Sequence, residues 1–172
     1  TYNISDTVEK IVAGVGNDVQ AILKAGGAVA VGNANKSQAN ILGGVDKEII
    51  YNISDTADKV STINSLALNK AVNIIVTGLS TVEQAVIVDN AANDGSTTFS
   101  VEDTASNLAA SSNDLLVKAT TVNASSDATA IEASAIGGYV KAVTFSVTDK
   151  ASEIVKANLA ALDEAQRITV ND

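Results

Sequence analysis

The sequence predicts an α/β fold, an open β/α solenoid in which about eight short parallel strands alternate with about seven helices. Three observations support this prediction. A six-residue phrase recurs with a period of about 48 residues, and weaker copies between its occurrences reduce the repeat to about 23–24 residues. Between the copies, the spacing of apolar residues changes from two to three or four, which is the change expected from strand to helix.

The recurring phrase is Tyr-Asn-Ile-Ser-Asp-Thr, which occupies residues 2–7 and again residues 51–56. It returns in altered form as Phe-Ser-Val-Glu-Asp-Thr at 99–104 and as Phe-Ser-Val-Thr-Asp-Lys at 145–150. A fixed period of this size is typical of repeat proteins, in which each unit contacts only its neighbours. We therefore expect a single repeat-array domain over 1–172, with double repeats at approximately 1–49, 50–97, 98–143 and, in part, 144–172.

Strands are expected at the phrase and at its weaker copies, where apolar residues alternate with other residues. Aligning the copies on their second apolar position gives eight anchors at steps of about 22–27 residues, the spacing of a strand-plus-helix coil. Because a helix separates successive strands, we expect them to pair in parallel. The anchors are Ile4, Val31, Ile53, Val76, Val101, Ala124, Val147 and Val170.

Helices are expected between the strands. After Asp55, for example, Ala57, Val60, Ile63 and Ala67 follow at three- and four-residue steps, which form an apolar stripe on a helix. The predicted helices cover approximately 7–25, 34–47, 56–71, 79–93, 104–119, 127–141 and 150–165.

Composition limits the classes of protein to which this chain can belong. The net charge of −9 argues against binding to nucleic acid or to an anionic membrane, because both need a basic face. Cys and His are absent, so the chain has no disulfide, no thiolate metal site and no ordinary catalytic triad. No apolar stretch reaches the roughly 20 residues that a membrane span needs. We therefore expect no enzyme, no catalytic residues, no membrane insertion and no cofactor other than the calcium considered next.

The Asp of each phrase is the candidate site residue. One interpretation is helix capping, in which the carboxylate accepts hydrogen bonds from the first free amides of the following helix. The alternative is a calcium-binding edge formed by these carboxylates, although the calcium-roll and EF-hand motifs are missing. The Asp positions are Asp6, Asp55, Asp103 and Asp149, and the corresponding caps expected in the weaker copies are Asn33, Ser80, and Ser126 or Asp127.

Four of the five aromatic residues stand at the start of the phrase. Tyr2, Tyr51, Phe99 and Phe145 are expected in the core, on the strand face covered by helices, with a sugar-binding aromatic row as the alternative. Tyr139 is expected to pack at a helix end.

One pair of motifs resembles a known type of array. Ile-Ser-Asp-Thr-Ala-x-x-Val at residues 53–60 and Ile-x-Val-Thr-Gly-x-x-Thr-Val-x-Gln-Ala at residues 74–85 are similar to the SDTA-type arrays of very large bacterial secreted or cell-surface proteins. Those proteins are adhesin-like, surface-layer-like or type I secreted. The resemblance is best over 51–110, and residues 34–38 depart from it because they lack the Thr-Val pair. It implies an extracellular or cell-surface location and brings no catalytic residues.

These observations favour a non-catalytic structural segment of a surface protein or fibre. The expected partner is another copy or a neighbouring repeat, which would contact the exposed edges of the terminal coils. The alternative is a module that binds protein, glycan or calcium through its strand face or its Asp-bearing edge.

Overall fold

The computed structural model describes residues 2–172 and shows a mixed α/β protein. Thr1, the first residue of the predicted array, lies outside the described residues. Within 2–172 there are eight strands, and each predicted anchor lies in one of them, so the number and the places of the strands are confirmed. The strands are β1 (Asn3–Thr7), β2 (Gly27–Ala34), β3 (Ile49–Thr56), β4 (Ile74–Ser80), β5 (Thr97–Asp103), β6 (Val122–Ala124), β7 (Val147–Asp149) and β8 (Ile168–Val170).

Helices separate the strands along the whole chain. The helices are α1 (Val8–Lys24), α2 (Lys36–Gly43), α3 (Ala57–Val60), α4 (Ser65–Lys70), α5 (Val82–Asp89), α6 (Ala105–Ala110), α7 (Asn113–Leu116), α8 (Ala130–Ile136), α9 (Ala151–Ile154) and α10 (Leu159–Glu164). We use the word coil for a strand together with the helices that follow it. The coils that start with β1, β3, β5 or β7 are called Asp coils, and the other four are called intervening coils.

The count of about seven helices is wrong, because the described residues form ten. Every Asp coil interrupts its helix. In the first, Asp18 leaves helical geometry with φ −152° and ψ 73°, and in the others a second capping residue begins a new helix. Those residues are Asn64, Ser112 and Asn158, whose side chains accept a hydrogen bond from an amide of the helix that follows.

Strands β1 to β6 lie in chain order in a six-stranded sheet, and β7 and β8 form a two-stranded sheet. The pairings β1–β2, β2–β3, β3–β4, β5–β6 and β7–β8 are all parallel, as predicted.

The register differs from the alignment of the anchors, which would pair Ile53 with Val76. Ile53 pairs instead with Ile74, and Val76 lies opposite Asp55, a shift of two residues. Because side chains alternate between the two faces of a strand, a shift of two residues keeps each of them on its face, so the apolar pattern does not reveal it. In β2 the shift is three residues. Val31 pairs with Thr7 and is 56% exposed.

The core lies on the strand face that the helices cover, and Ala, Val, Ile and Leu form most of it. In β3, for example, Ile49, Tyr51 and Ile53 are buried, whereas Ile50 between them is 47% exposed. One face of the strand is therefore available to solvent.

The chain divides into two compact units. One comprises the chain up to Gly78 together with Ile87–Thr98, and the other comprises Leu79–Val86 with Phe99–Asp172. Among the described residues, no helix has the length and apolar character needed to span a membrane.

Candidate functional site

The recurrent Asp residues, predicted as N-caps, lie at the carboxyl ends of the Asp-coil strands, one residue before the observed N-cap position. The residue after each Asp precedes the helix instead. Thr7 and Thr104 there accept a hydrogen bond from the third helical amide, whereas Thr56 and Lys150 make no such bond. The assignment of the Asp residues as ordinary N-caps is therefore wrong in position.

Each Asp carboxylate of the last three Asp coils instead joins two successive coils. Its Oδ1 accepts a hydrogen bond from the amide of the next residue, at 2.8–2.9 Å. Its Oδ2 accepts one from the first helical amide of the intervening coil that precedes it. We call this arrangement the carboxylate clamp. Its Oδ2 bonds are Lys36 N to Asp55 at 3.1 Å, Val82 N to Asp103 at 2.9 Å and Ala130 N to Asp149 at 3.0 Å.

The clamps hold these carboxyl groups in the charged form. Burial alone would raise the pKa of Asp55, but the amides of Lys36 and Thr56 and the Lys59 ammonium at 3.2 Å outweigh it and lower that pKa below its usual value.

The other two clamps show the same lowering. Burial opposes it at Asp103, where the amides of Val82 and Thr104 and the side chain of Asn107 lower the pKa of the carboxyl. At Asp149, hydrogen bonds from the amides of Ala130 and Lys150 are the main cause of the lowered pKa, and burial opposes them.

Asp6 makes half of a clamp. Its Oδ1 accepts a hydrogen bond from the Thr7 amide and lies 3.4 Å from the Lys10 ammonium. Among residues 2–172, no helix amide donates to its Oδ2, and its side chain is 41% exposed against 9% for Asp55. The side chain of the first Asp is therefore more accessible to solvent than that of Asp55.

A second set of junctions joins the last two Asp coils to the intervening coils that follow them. Here the Ala105 amide donates to Ser126 Oγ at 3.1 Å, and the Ala151 amide donates to Asp172 Oδ1 at 2.9 Å. Sequence reasoning missed both bonds, although Ser126 and Asp172 stand at the same place in their phrase copies. Gly32 and Gly78 occupy this place in the first two double repeats, with φ of 104° and 80°, so no side chain is available there.

The caps predicted for the intervening coils are also wrong in position. The observed capping residue lies two or three residues after the predicted one, or one residue after it in the case of Ser80. Each observed cap exchanges hydrogen bonds with the third residue of its helix, which forms a capping box. These pairs are Asn35 with Gln38, Thr81 with Gln84, and Thr129 with Glu132. Ser80 is buried, and its hydroxyl has no hydrogen-bond partner among residues 2–172.

A lysine occupies the carboxyl end of α2. Lys70 Nζ donates to the carbonyls of Gly43, the last residue of α2, and of Val45, at 3.1 and 2.9 Å. Lys141 Nζ donates to the Thr120 carbonyl at 2.9 Å, in the segment between α7 and β6. Carboxylates at helix amino ends and ammonium groups at carboxyl ends both match the helix dipole.

The aromatic residues are mainly core, as expected. Tyr51, Phe99 and Phe145 are at most 2% exposed, so no sugar-binding row of four exists, while Tyr2 is 49% exposed. Burial raises the pKa of Tyr51 to about 12. Tyr139 donates its hydroxyl to carbonyls at the carboxyl end of α6, which confirms its place at a helix end.

The geometry of the Asp edge bears directly on calcium. The residue opposite each Asp in the next strand is apolar: Val76 faces Asp55, and Ala30 faces Asp6. Because β2 lies between β1 and β3, Asp6 and Asp55 are at least two strand spacings apart, roughly 9.5 Å, whereas calcium ligands lie about 2.3–2.6 Å from the ion. Among residues 2–172, no group of three or more acidic side chains is placed to hold a metal.

Comparison with known proteins assigns this chain to no family. No family model, curated protein or solved structure matches the chain. The function is therefore argued from the geometry of the junctions and from the exposed faces.

Proposed function

We propose that this chain is a non-catalytic structural repeat segment of an extracellular or cell-surface protein or fibre. In this proposal its coils form an open β/α solenoid that supplies reach or a regular face for neighbouring molecules. The carboxylate clamp is the observation that carries it. The polar groups that recur with the repeat are used to join one coil to the next, at Asp55, Asp103 and Asp149.

The solenoid part of the proposal has a direct test. Small-angle X-ray scattering of the purified chain is expected to give an elongated particle, because coils that contact only their neighbours extend in one direction. A radius of gyration close to that of a compact domain, about 15–16 Å for a chain of this length, would contradict an open solenoid.

The proposed extracellular location needs a separate experiment. An antibody raised against the purified chain is expected to label intact cells, or the medium around them, without permeabilisation. Labelling only after permeabilisation would contradict the extracellular proposal. The resemblance of residues 53–60 and 74–85 to SDTA-type arrays supports this location.

One observation favours the alternative, a binding module. The solvent face of the sheet in the first unit carries four aliphatic side chains, all 36–56% exposed: Val29, Val31, Ile50 and Ile75. Val29 and Ile50 are directly paired across β2 and β3, so their side chains are neighbours on this face. Contiguous exposed apolar residues are typical of interaction sites. Saturable binding of a soluble protein that is lost in Val31→Ser and Ile50→Thr variants, with unchanged folding, would favour this alternative over a purely structural role.

A further inference from the structure

The two sets of junctions differ in ionisable groups. Each junction from an intervening coil to the next Asp coil is closed by a carboxylate, that of Asp55, Asp103 or Asp149. At the junctions inside the double repeats, the residue in the bonding position is Gly32, Gly78 or Ser126, none of which titrates. In the last double repeat it is Asp172.

We propose that the array is acid-labile at selected junctions: acid uncouples successive double repeats at the carboxylate clamps, while the neutral junctions within the double repeats persist. The effect of acid follows from the backbone amides that donate to each clamp carboxylate. The two amides of each clamp can only donate. Protonation therefore removes the charge that strengthens both hydrogen bonds, turns one oxygen into a hydroxyl that accepts only weakly, and gives the new O–H no acceptor among these amides. The serine junction has no such change, because the Ser126 hydroxyl accepts the Ala105 amide at any pH between 2 and 7.

The direction of the pH dependence follows from linkage. A carboxyl whose pKa is lower in the folded state stabilises that state above its unfolded pKa, about 3.9, and the stabilisation is lost as the pH falls through the folded value. The pKa values of all three clamp carboxyls are lowered. Each clamp therefore shifts the opening equilibrium by up to about tenfold per pH unit in the window that begins near pH 4 and extends downward.

Neighbouring charges set the order in which the clamps open. Asp55 lies 3.2 Å from the Lys59 ammonium, which favours its charged form. Among residues 2–172, no ammonium group is a cause of the lowered pKa of Asp103, which shares a surface depression with Glu83, and the negative charge there disfavours a second one.

The surroundings of Asp149 are mixed. Lys150 follows it in the chain, while Glu132 caps the helix whose first amide it binds. From these surroundings we expect the Val82–Asp103 junction to open at the highest pH of the three.

Amide hydrogen exchange of the intact chain, read residue by residue by nuclear magnetic resonance, tests the proposal. Between pH 6 and pH 3, after correction for intrinsic exchange rates, the amides of Lys36, Val82 and Ala130 are expected to lose several-fold and at most about tenfold more protection than the Ala105 amide, the largest change for one titrating carboxyl over one pH unit. If all four amides lose protection together, or none does once the carboxyl carbon shifts show protonation, the proposal is overturned.

A gain-of-charge variant gives an independent test that does not rely on a destabilised protein. Ser126→Asp places a carboxylate where Asp172 stands in the last repeat, and it should make the Ala105 amide acid-labile. Asp163→Asn, at an exposed position of α10, is the control and should leave the protection of every junction amide unchanged. An Ala105 amide that stays protected at pH 3 in Ser126→Asp would contradict the role of the carboxylate.

Discussion

Asp55 shows why an isosteric change at a clamp costs more than the loss of an ordinary cap. Asn retains one acceptor oxygen but presents an NH₂ group to one of the two amides, those of Lys36 and Thr56. The Asp55→Asn variant is therefore expected to lower the free energy of unfolding by about 1–3 kcal/mol, the usual cost of a charged hydrogen bond and an unsatisfied donor.

Denaturant unfolding at pH 7 measures this effect. The matched control is Asp163→Asn, which makes the same chemical change at an exposed site and should stay within about 0.5 kcal/mol of the parent. Equal stability of the two variants would show that the clamp at Asp55 contributes nothing.

Ser80 and Thr81 are adjacent residues with opposite expectations. In the described part of the chain the buried Ser80 hydroxyl has no partner, and Ala34 and Ala128 are fully buried at the same place in two other intervening coils. Ser80→Ala should therefore be neutral or stabilise the protein by up to about 1 kcal/mol.

Thr81 caps α5 by accepting the Gln84 amide at 3.2 Å, so Thr81→Ala should cost about 1 kcal/mol. Thermal unfolding of both variants decides the matter. A Ser80→Ala variant that melts well below the parent would show that the hydroxyl has a partner, such as an ordered water.

The sequence predicts where the clamp carboxylates stand but not which amides they bind. The phrase places Asp55 at the end of a strand, and the preference of carboxylates for helix amino ends indicates that it accepts amide hydrogen bonds. The donor, however, is Lys36, 19 residues earlier, in the helix of the preceding coil. That assignment depends on the strand register, which a two-residue pattern leaves undetermined.

At the scale of elements, the helices of the Asp coils show the limit of periodicity. One apolar stripe from Ala57 to Ala67 predicts one helix, yet the structure has α3 and α4 with a break between them. The Thr62 hydroxyl donates to the carbonyls of Asp58 and Lys59, and Asn64 begins the next helix by accepting the Leu66 amide. Ser, Thr and Asn compete with helical hydrogen bonds in this way, and an apolar stripe does not record that competition.

The close approach of α2 and α4 gives a prediction at this scale. A Cβ on Gly43 would lie 2.5 Å from both Cα and Cβ of Ala67, so the two helices would have to separate. Gly43→Ala is therefore expected to destabilise the protein by about 1–3 kcal/mol.

The control for Gly43 is another helical glycine. A Cβ on Gly16, within α1, would meet no atom within 4 Å, so Gly16→Ala should stabilise the protein by roughly 0.5–1 kcal/mol through helix propensity. Urea unfolding of both variants measures the difference. A stabilising Gly43→Ala would contradict the close contact between α2 and α4.

At the scale of the whole molecule, the repeat makes the strands predictable. Copies of one phrase supply several independent observations of the same local pattern, so all eight anchors, from Ile4 to Val170, lie in strands. The division into two compact units has no counterpart in the sequence, because no linker or change of composition marks Gly78 or Thr98.

Calcium gives a whole-molecule prediction because the Asp carboxylates already accept amide hydrogen bonds. We expect that millimolar Ca²⁺ changes the melting temperature no more than an equal ionic strength of NaCl, since an ion stabilises the fold only if it binds the folded state preferentially. Calorimetric scans with CaCl₂, with NaCl and with a chelator compare the two. A rise of many degrees that the chelator reverses would support the calcium-binding alternative at the Asp-bearing edge.

Self-association depends on the exposed strand edges and on the net charge. In the described chain, β1 pairs only with β2, and β8 pairs only with β7. Ile168 and Val170 of β8 remain 43% and 53% exposed. Unpaired strand edges favour pairing with another chain, whereas a net charge of −9 opposes it until salt screens the repulsion. We therefore expect association of the isolated chain to increase as NaCl is raised from about 0.01 to 1 M, over which the screening length falls from about 30 to 3 Å.

A matched pair of variants separates the strand edge from the charge. Val170→Lys places a charge on β8, which should block pairing there, because lysines on edge strands oppose association. Val155→Lys makes the same change in net charge at a side chain that is 79% exposed and lies outside the strands. Light scattering across salt concentrations should show association in the parent and in Val155→Lys but much less in Val170→Lys. If the parent stays monomeric at 1 M salt, or both variants associate equally, pairing through the β8 edge is contradicted.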